Sequence, residues 1–260
     1  MAHTIYQNFV LENKIEDILK TKIDLQNYMT VDESLTQAPG MKKVINTYTA
    51  TGEVEDLTMG AGNTGDITVS FTPTEYTVGV TQGRFQYYDE QEMTDPMVVD
   101  AGLDGVAKKM VNDFTTKAIA EFGKATLTTS PNAWSFDAIV DAIAKLNVED
   151  EEGLFLLISP ADKAAVRKAL GEDLKYSEGF VRTGYIGTVC GVPVIVSKAV
   201  PAKTGFLATK EAVTLFVKKG MEIEQERDAN VRNNKVFARK VAVVALTNAN
   251  KVVKISITAG

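Results

Sequence analysis

The chain of 260 residues has a single cysteine, Cys190, and a single histidine, His3. One cysteine excludes an intrachain disulfide and a zinc site built on cysteines. One histidine, close to the amino end, excludes a histidine-based general base or triad in the rest of the chain. No run approaches the roughly 18 apolar residues of a membrane-spanning helix. The first residues show no basic region followed by an apolar run, the pattern of a secretory signal. A long basic run is missing too: net charge is −6 and the pI is near 5.0. The densest basic stretch is Arg227, Arg232, Lys235, Arg239 and Lys240, and it is interleaved with Glu222, Glu224, Glu226 and Asp228. That mixture reads as a mixed-charge strand pair, not as a nucleic-acid footprint.

Motifs that carry chemistry are equally scarce. The glycine-rich Met59-Gly60-Ala61-Gly62-Asn63-Thr64-Gly65 stretch is not followed by Lys-Ser or Lys-Thr, nor by a helix pattern, so it is not a phosphate cradle. It reads as the tip of a long hairpin. Glu149-Asp150-Glu151-Glu152 lacks the ligand spacing of a calcium loop and reads as an acidic surface turn. Cys190 sits between turn residues as a small filler. The carboxylates form no pair that can be set across a cleft. These absences predict no catalytic residue, no cofactor and no metal, and favour a structural or binding role.

What is present is an average globular composition, 45% hydrophobic and 24% charged, on a chain long enough for a real core. The organising stretch is Thr94–Lys124. Asp95 can cap a helix and Pro96 suits its first position. Val99, Leu103, Val106, Met110, Phe114, Ala118 and Phe122 recur every three or four residues and hold one face. Gly123 is placed for a left-handed end. Before it, Val44–Thr51, Ile67–Phe71, Tyr76–Val80 and Phe85–Tyr87 alternate as strands. Residues 8–28 predict a loosely amphipathic arm helix, broken at Pro39-Gly40. After it, Thr126–Asn132 reads as a loop and Ser135–Leu146 as a helix capped by Ser135. Leu154–Ile158 is a strand buried on both faces, and Ser159-Pro160 opens a helix over Ala161–Leu170. A polar loop follows over Gly171–Thr183. Val192–Val196, Phe206–Thr209, Ala212–Val217, Met221–Glu226, Lys235–Thr247 and Lys251–Thr258 are strands, with Asn248-Ala249-Asn250 as a hairpin turn between the last two.

In this order of parts, with Phe155-Leu156-Leu157-Ile158-Ser159-Pro160 and the run from Gly187 to Ser197 through Gly191-Val192-Pro193-Val194, the chain resembles the major capsid protein of tailed bacteriophages. That shell fold is shared with encapsulins. The resemblance covers nearly the whole chain and rests on the succession of parts. It implies an α+β fold with an N-terminal arm (1–42), an extended β-hairpin loop (43–90), a peripheral domain with the long helix as its spine (91–130 and 221–260) and an axial α/β domain (131–220). It also implies a homo-oligomer of pentamers and hexamers, closed into an icosahedral virion shell. Such a shell encloses double-stranded DNA without reading its sequence, touches no membrane and is assembled in the bacterial host cytoplasm. About 40 residues precede the hairpin, fewer than in members with a fused scaffolding segment, so scaffolding is expected to be a separate chain or a segment already removed; a portal is the other partner that the resemblance implies. Some members join subunits through a lysine of the hairpin; no lysine lies between Lys43 and Lys108, so that route is not expected here. The hairpin is acidic, with Glu53, Glu55, Asp56, Asp66 and Glu75 against Arg84. Lys108 and Lys109 on the spine of a neighbour are candidates to receive it. The alternatives are an encapsulin-like compartment with protein cargo and, in another class, a monomeric enzyme or ligand-binding domain.

Overall fold

In the computed structural model, residues 4–7, 24–148, 153–174 and 188–258 are described. The acidic turn at 149–152 and most of the arm helix and polar loop predicted above lie outside the described residues. The strands are β1 (Thr4–Gln7), β2 (Thr30–Asp32), β3 (Lys42–Thr51), β4 (Thr68–Thr77) and β5 (Gly79–Tyr88). Helices α1 (Asp89–Thr94) and α2 (Met97–Phe122) follow. Next come β6 (Leu127–Thr129), α3 (Phe136–Leu146), β7 (Leu154–Ile158) and α4 (Pro160–Leu174). The chain ends in β8 (Thr188–Val189), β9 (Val192–Val196), β10 (Thr204–Thr209), β11 (Val213–Asp228), β12 (Asn233–Leu246) and β13 (Val252–Ser256).

These strands make three sheets. A five-stranded sheet runs β1-β11-β12-β5, with β2 also paired to β11. A six-stranded sheet runs β6-β13-β10-β7-β9-β8, and β3 and β4 form a separate two-stranded ribbon. Helix α2, 26 residues and about 39 Å long, contributes Leu103, Met110, Phe114 and Phe122 to a core shared with both larger sheets. From the five-stranded sheet come Ile223, Val236 and Ala238; from the six-stranded sheet come Phe155, Leu157 and Phe206. A second core lies on the other face of the six-stranded sheet, under α3 and α4. All five residues of β7 are therefore buried, as its unbroken apolar run requires.

Local chemistry explains the ends of α2. The Asp95 carboxylate accepts the Met97 N–H at 2.9 Å and the Asp95 carbonyl accepts the Val98 N–H at 3.1 Å, while Pro96 supplies a helical φ of −59°. The other end corrects the expectation. Gly123 stays right-handed at φ −62°, and the last turn tightens instead. Lys124 N–H donates to Glu121 O and Ala125 N–H to Phe122 O, both at 3.1 Å.

Gly102 has a different purpose. A Cβ there would stand 2.3 Å from the Phe85 ring, so the glycine lets β5 approach the helix. Gly102→Ala gains roughly 1 kcal/mol of helix propensity but forces the ring aside at about 1–3 kcal/mol. The steric term wins, and the melting temperature should fall by a few degrees; an unchanged or higher value would refute this packing.

Helix α3 begins as predicted, with the Ser135 Oγ accepting the Ala138 N–H at 3.1 Å, and Asn147 in a left-handed conformation (φ 50°) follows its last residue. Other readings are corrected. Leu127–Thr129 is a strand, parallel to β13. Helix α4 runs on through Gly171 to Leu174. Ala212–Glu226 is not two strands but lies in the single 16-residue β11, whose ladder shifts register around Lys219. Finally, β12 and β13 are not a hairpin. They belong to different sheets, and Asn248-Ala249-Asn250 carries the chain across. Thr247 and Asn248 both donate N–H to Ala212 O, at 2.9 and 3.1 Å, so both crossings between the sheets meet at one point.

Candidate assembly surfaces

The ribbon is built from ten facing residue pairs, from Lys42↔Thr77 to Thr51↔Thr68. It ends at Thr77, and residues 79–88, which the sequence reading counted with the hairpin, pair with β12 in the five-stranded sheet. Because side chains alternate along a strand, this register sorts the ribbon into two unlike faces. On one face Tyr48 opposes Phe71, Ala50 opposes Val69, Asn46 opposes Pro73 and Val44 opposes Glu75. On the other, Thr47 opposes Thr72, Thr49 opposes Ser70 and Thr51 opposes Thr68, with the last two hydroxyls 2.8 Å apart.

Only the base of the hydroxyl-bearing face is held by the body. Ile45 and Tyr76 pack on a small core around Phe216 and Val241. Lys43 Nζ stands 4.5 Å above the Phe216 ring and Lys124 Nζ 5.4 Å above that of Tyr76. Burial, then the Glu121 carboxylate, push the Tyr76 phenol above its ordinary range. The apolar face has no cover: Tyr48 is 72% exposed and Phe71 67%. β3 begins at Lys42, so the ribbon base does contain two lysines, Lys42 paired with Glu75 at 2.8 Å and Lys43 on Phe216. Beyond them, residues 44–83 carry no cation at all.

The predicted charges fall in several places. Glu53, Asp56 and Asp66 are exposed at or beside the tip, between β3 and β4. Glu55 is used internally: its carboxylate accepts the Thr64 N–H at 2.8 Å, the Thr64 hydroxyl at 2.7 Å and the Gly65 N–H at 2.9 Å. These bonds, the Thr64 amide foremost, hold its pKa below the ordinary value near 4.5. A carboxylate with a depressed folded value stabilises its state above the unfolded value and loses that contribution as pH falls through the folded one. The pH-dependent movement of the Thr64 and Gly65 amide resonances should therefore be centred below 4.5, and Glu55→Gln should remove the step; movement centred at or above that value would refute the tip structure.

Lys108 and Lys109 are exposed on α2, where Lys108 pairs with Asp104 one turn earlier. Arg84 is not near them. Gly83 and Phe85 face Val106 and Gly102 of α2, so Arg84 lies on the opposite face of the sheet, beside Phe237. That face confirms the mixed-charge strand pair. Glu222 stands across from Arg239 and accepts its Nε–H at 3.0 Å, and Glu226 stands across from Lys235. Hydrogen bonds from Lys219 and Arg239 lower the Glu222 pKa. That one face of the ribbon packs was legible in the sequence, but Tyr48 and Phe71 were not singled out as its centre. Its signal was the alternation of residues, but the pairing that places the two rings opposite each other was not visible.

No helix among the described residues is long and apolar enough to cross a membrane. A protruding ribbon with an uncovered apolar face and a spine helix between two sheets suit a subunit that other subunits cover. Comparison with known proteins agrees. The family model described as phage capsid protein matches residues 72–255. The major capsid protein of Staphylococcus phage phiMR11 is 24% identical over 256 residues, covering 95% of this chain and 92% of that protein. The mature capsid of bacteriophage PhiM1 superposes with a TM-score of 0.68 at 14% identity, over 88% of this chain and 86% of that one. The virus-like particle from Pyrococcus furiosus gives 0.67 at 12% identity, over 95% and 98%.

The chain belongs to the phage capsid protein family. It is a structural, shell-forming component of the virion and not an enzyme, with the capsid fold that its order of parts implied. The archaeal particle shares the fold, but family membership does not favour the compartment reading.

Proposed function

We propose that copies of this chain assemble as pentamers and hexamers into an icosahedral shell around double-stranded DNA, in the bacterial host cytoplasm, with a separate scaffolding protein and a portal. The observation that carries the reading is the uncovered apolar face of the ribbon. A two-stranded ribbon is marginal alone, and a contiguous exposed apolar patch marks a contact surface. Covering Tyr48 and Phe71 on a neighbour stabilises the contact by roughly 1.5–3 kcal/mol for each ring. Repeated by symmetry, such contacts close a shell.

In this division residues 1–42 are the arm and 43–77 the loop that lies on a neighbour. The spine helix with the five-stranded sheet forms the peripheral domain and the six-stranded sheet with α3 and α4 the axial domain around five- and six-fold axes; the bounds 131–220 and 221–260 expected from the sequence shift, because β6 and β13 join the axial sheet and all of β11 joins the peripheral one. Glu53, Asp56 and Asp66 meet a neighbour's cations, with Lys109 the better candidate because Lys108 already pairs with Asp104. The shell is acidic overall, which lets it hold DNA without adhering to it. The test is light scattering after size exclusion, with electron micrographs of each peak, on chain expressed alone and with its scaffold. Rings of five or six, or closed shells, are expected. A monomer of 28.2 kDa under both conditions, with a ribbon that resists protease, would end the proposal.

A further inference from the structure

Helices α3 and α4 cover one face of the six-stranded sheet and carry outer surfaces of opposite charge, that of α3 with exposed apolar side chains as well. Helix α3 lies over β6 and β13, at one edge. Helix α4 crosses from β7 to β9, toward the other edge. Phe136 and Val140, one turn apart on α3, are 48% and 41% exposed. Asp137 and Asp141 run beside them, also exposed. On α4 the outer surface carries Lys163, Arg167 and Lys168, with Ala164 and Ala165 between them. No ion pair among the described residues engages any of these five charges.

Resting on the shell reading above, we propose that the outer face of α3 on one copy docks against the outer face of α4 on the next copy in a ring. The occupant is fixed by charge. An α4–α4 contact sets cations against cations, and an α3–α3 contact sets Asp141 against Asp141, with Lys145 at the end of the same stripe able to pair only with Asp137. Only α3 against α4 joins opposite signs along the contact. The alanines of α4 leave room for Phe136 and Val140 and allow the helix axes to approach to roughly 8 Å. Two different patches meeting head to tail make a heterologous interface, and that kind closes into rings. Opposite-sign charges at its rim also set orientation and reject wrong pairings.

The test reverses each side. Asp137→Lys with Asp141→Lys, or Lys163→Glu with Arg167→Glu and Lys168→Glu, should each lower the yield of rings and shells about tenfold or more near physiological salt. All five substitutions together should restore it. The two single-sided variants mixed in equal amounts should restore only rings with an even number of subunits, because the two kinds must alternate; this rescue also establishes that both variants fold. Single-sided variants that assemble like the parent chain overturn the helix contact and leave the shell reading standing. A combined variant no better than its halves overturns it as well. A parent chain that forms neither rings nor shells overturns the shell reading and this contact with it.

Discussion

Replacing Tyr48 and Phe71 together by aspartate should abolish shell assembly while leaving the subunit folded. The two rings oppose each other on the uncovered face of the ribbon, 72% and 67% exposed. Neither supports the subunit's own core, so the melting temperature should stay within a degree or two. In the proposed shell, with the ribbon on a neighbour, each ring would be buried, and a buried aromatic is the usual centre of a contact. Two carboxylates there lose the apolar contribution of both rings and must be desolvated without a partner. Several kcal/mol per subunit contact, multiplied around a shell, leaves no assembled product. Sedimentation of parent and variant, each with scaffold, checks this. Normal shells from the variant would move the contact to the threonine face.

The largest expected effect on stability lies elsewhere. Asp162, 5% exposed in the first turn of α4, accepts Trp134 Nε1–H at 2.9 Å, Ser159 Oγ–H at 2.6 Å and the Lys203 N–H at 3.0 Å. Its carboxylate thus ties the approach to α3, the start of α4 and the entry to β10 together. Gly205 belongs to the same joint, since a Cβ there would lie 2.6 Å from the Trp134 ring. Asp162→Ala leaves three buried donors without an acceptor, at about 1–3 kcal/mol each before relaxation. A loss of about 3–5 kcal/mol is expected, and Asp162→Asn, which keeps one acceptor oxygen, should lose less. Urea unfolding followed by fluorescence reads this directly, because Trp134 is the only tryptophan and sits in the network. A loss below about 1 kcal/mol would mean that water replaces the carboxylate.

Much of this architecture was legible in local pattern. The period of α2, the Ser135 cap and the continuous apolar β7 are all statements about neighbours in sequence. What escaped depends on partners far away. The Asn248-Ala249-Asn250 turn has the chemistry of a hairpin, but nothing in a turn says that the next strand returns to the same sheet. Lys218-Lys219-Gly220 looks like a break, yet a change of register lets β11 pass through it. Gly123 suits a left-handed end and adopts a right-handed one because the following carbonyls are satisfied by a tighter turn. At the assembly surface the acidic character of the ribbon was readable residue by residue. The place of Tyr48 and Phe71 at the centre of the apolar face needed the register, and the internal use of Glu55 needed the folded tip.

The paired strands β11 and β12 give the subunit a direction of stiffness. β11 alone is 16 residues, about 53 Å of extended backbone. One end of the pair is the turn at residues 229–232, and the other is the junction where Ala212 holds Thr247 and Asn248. Tension between those ends is carried by two covalent backbones that are already extended, so the subunit resists stretching along this axis. Force that pries the two sheets apart meets no continuous backbone ladder, only the hydrogen bonds at the junction and the apolar core that α2 shares with both sheets. A wall made of such subunits strains least along its straps and bends first at their roots.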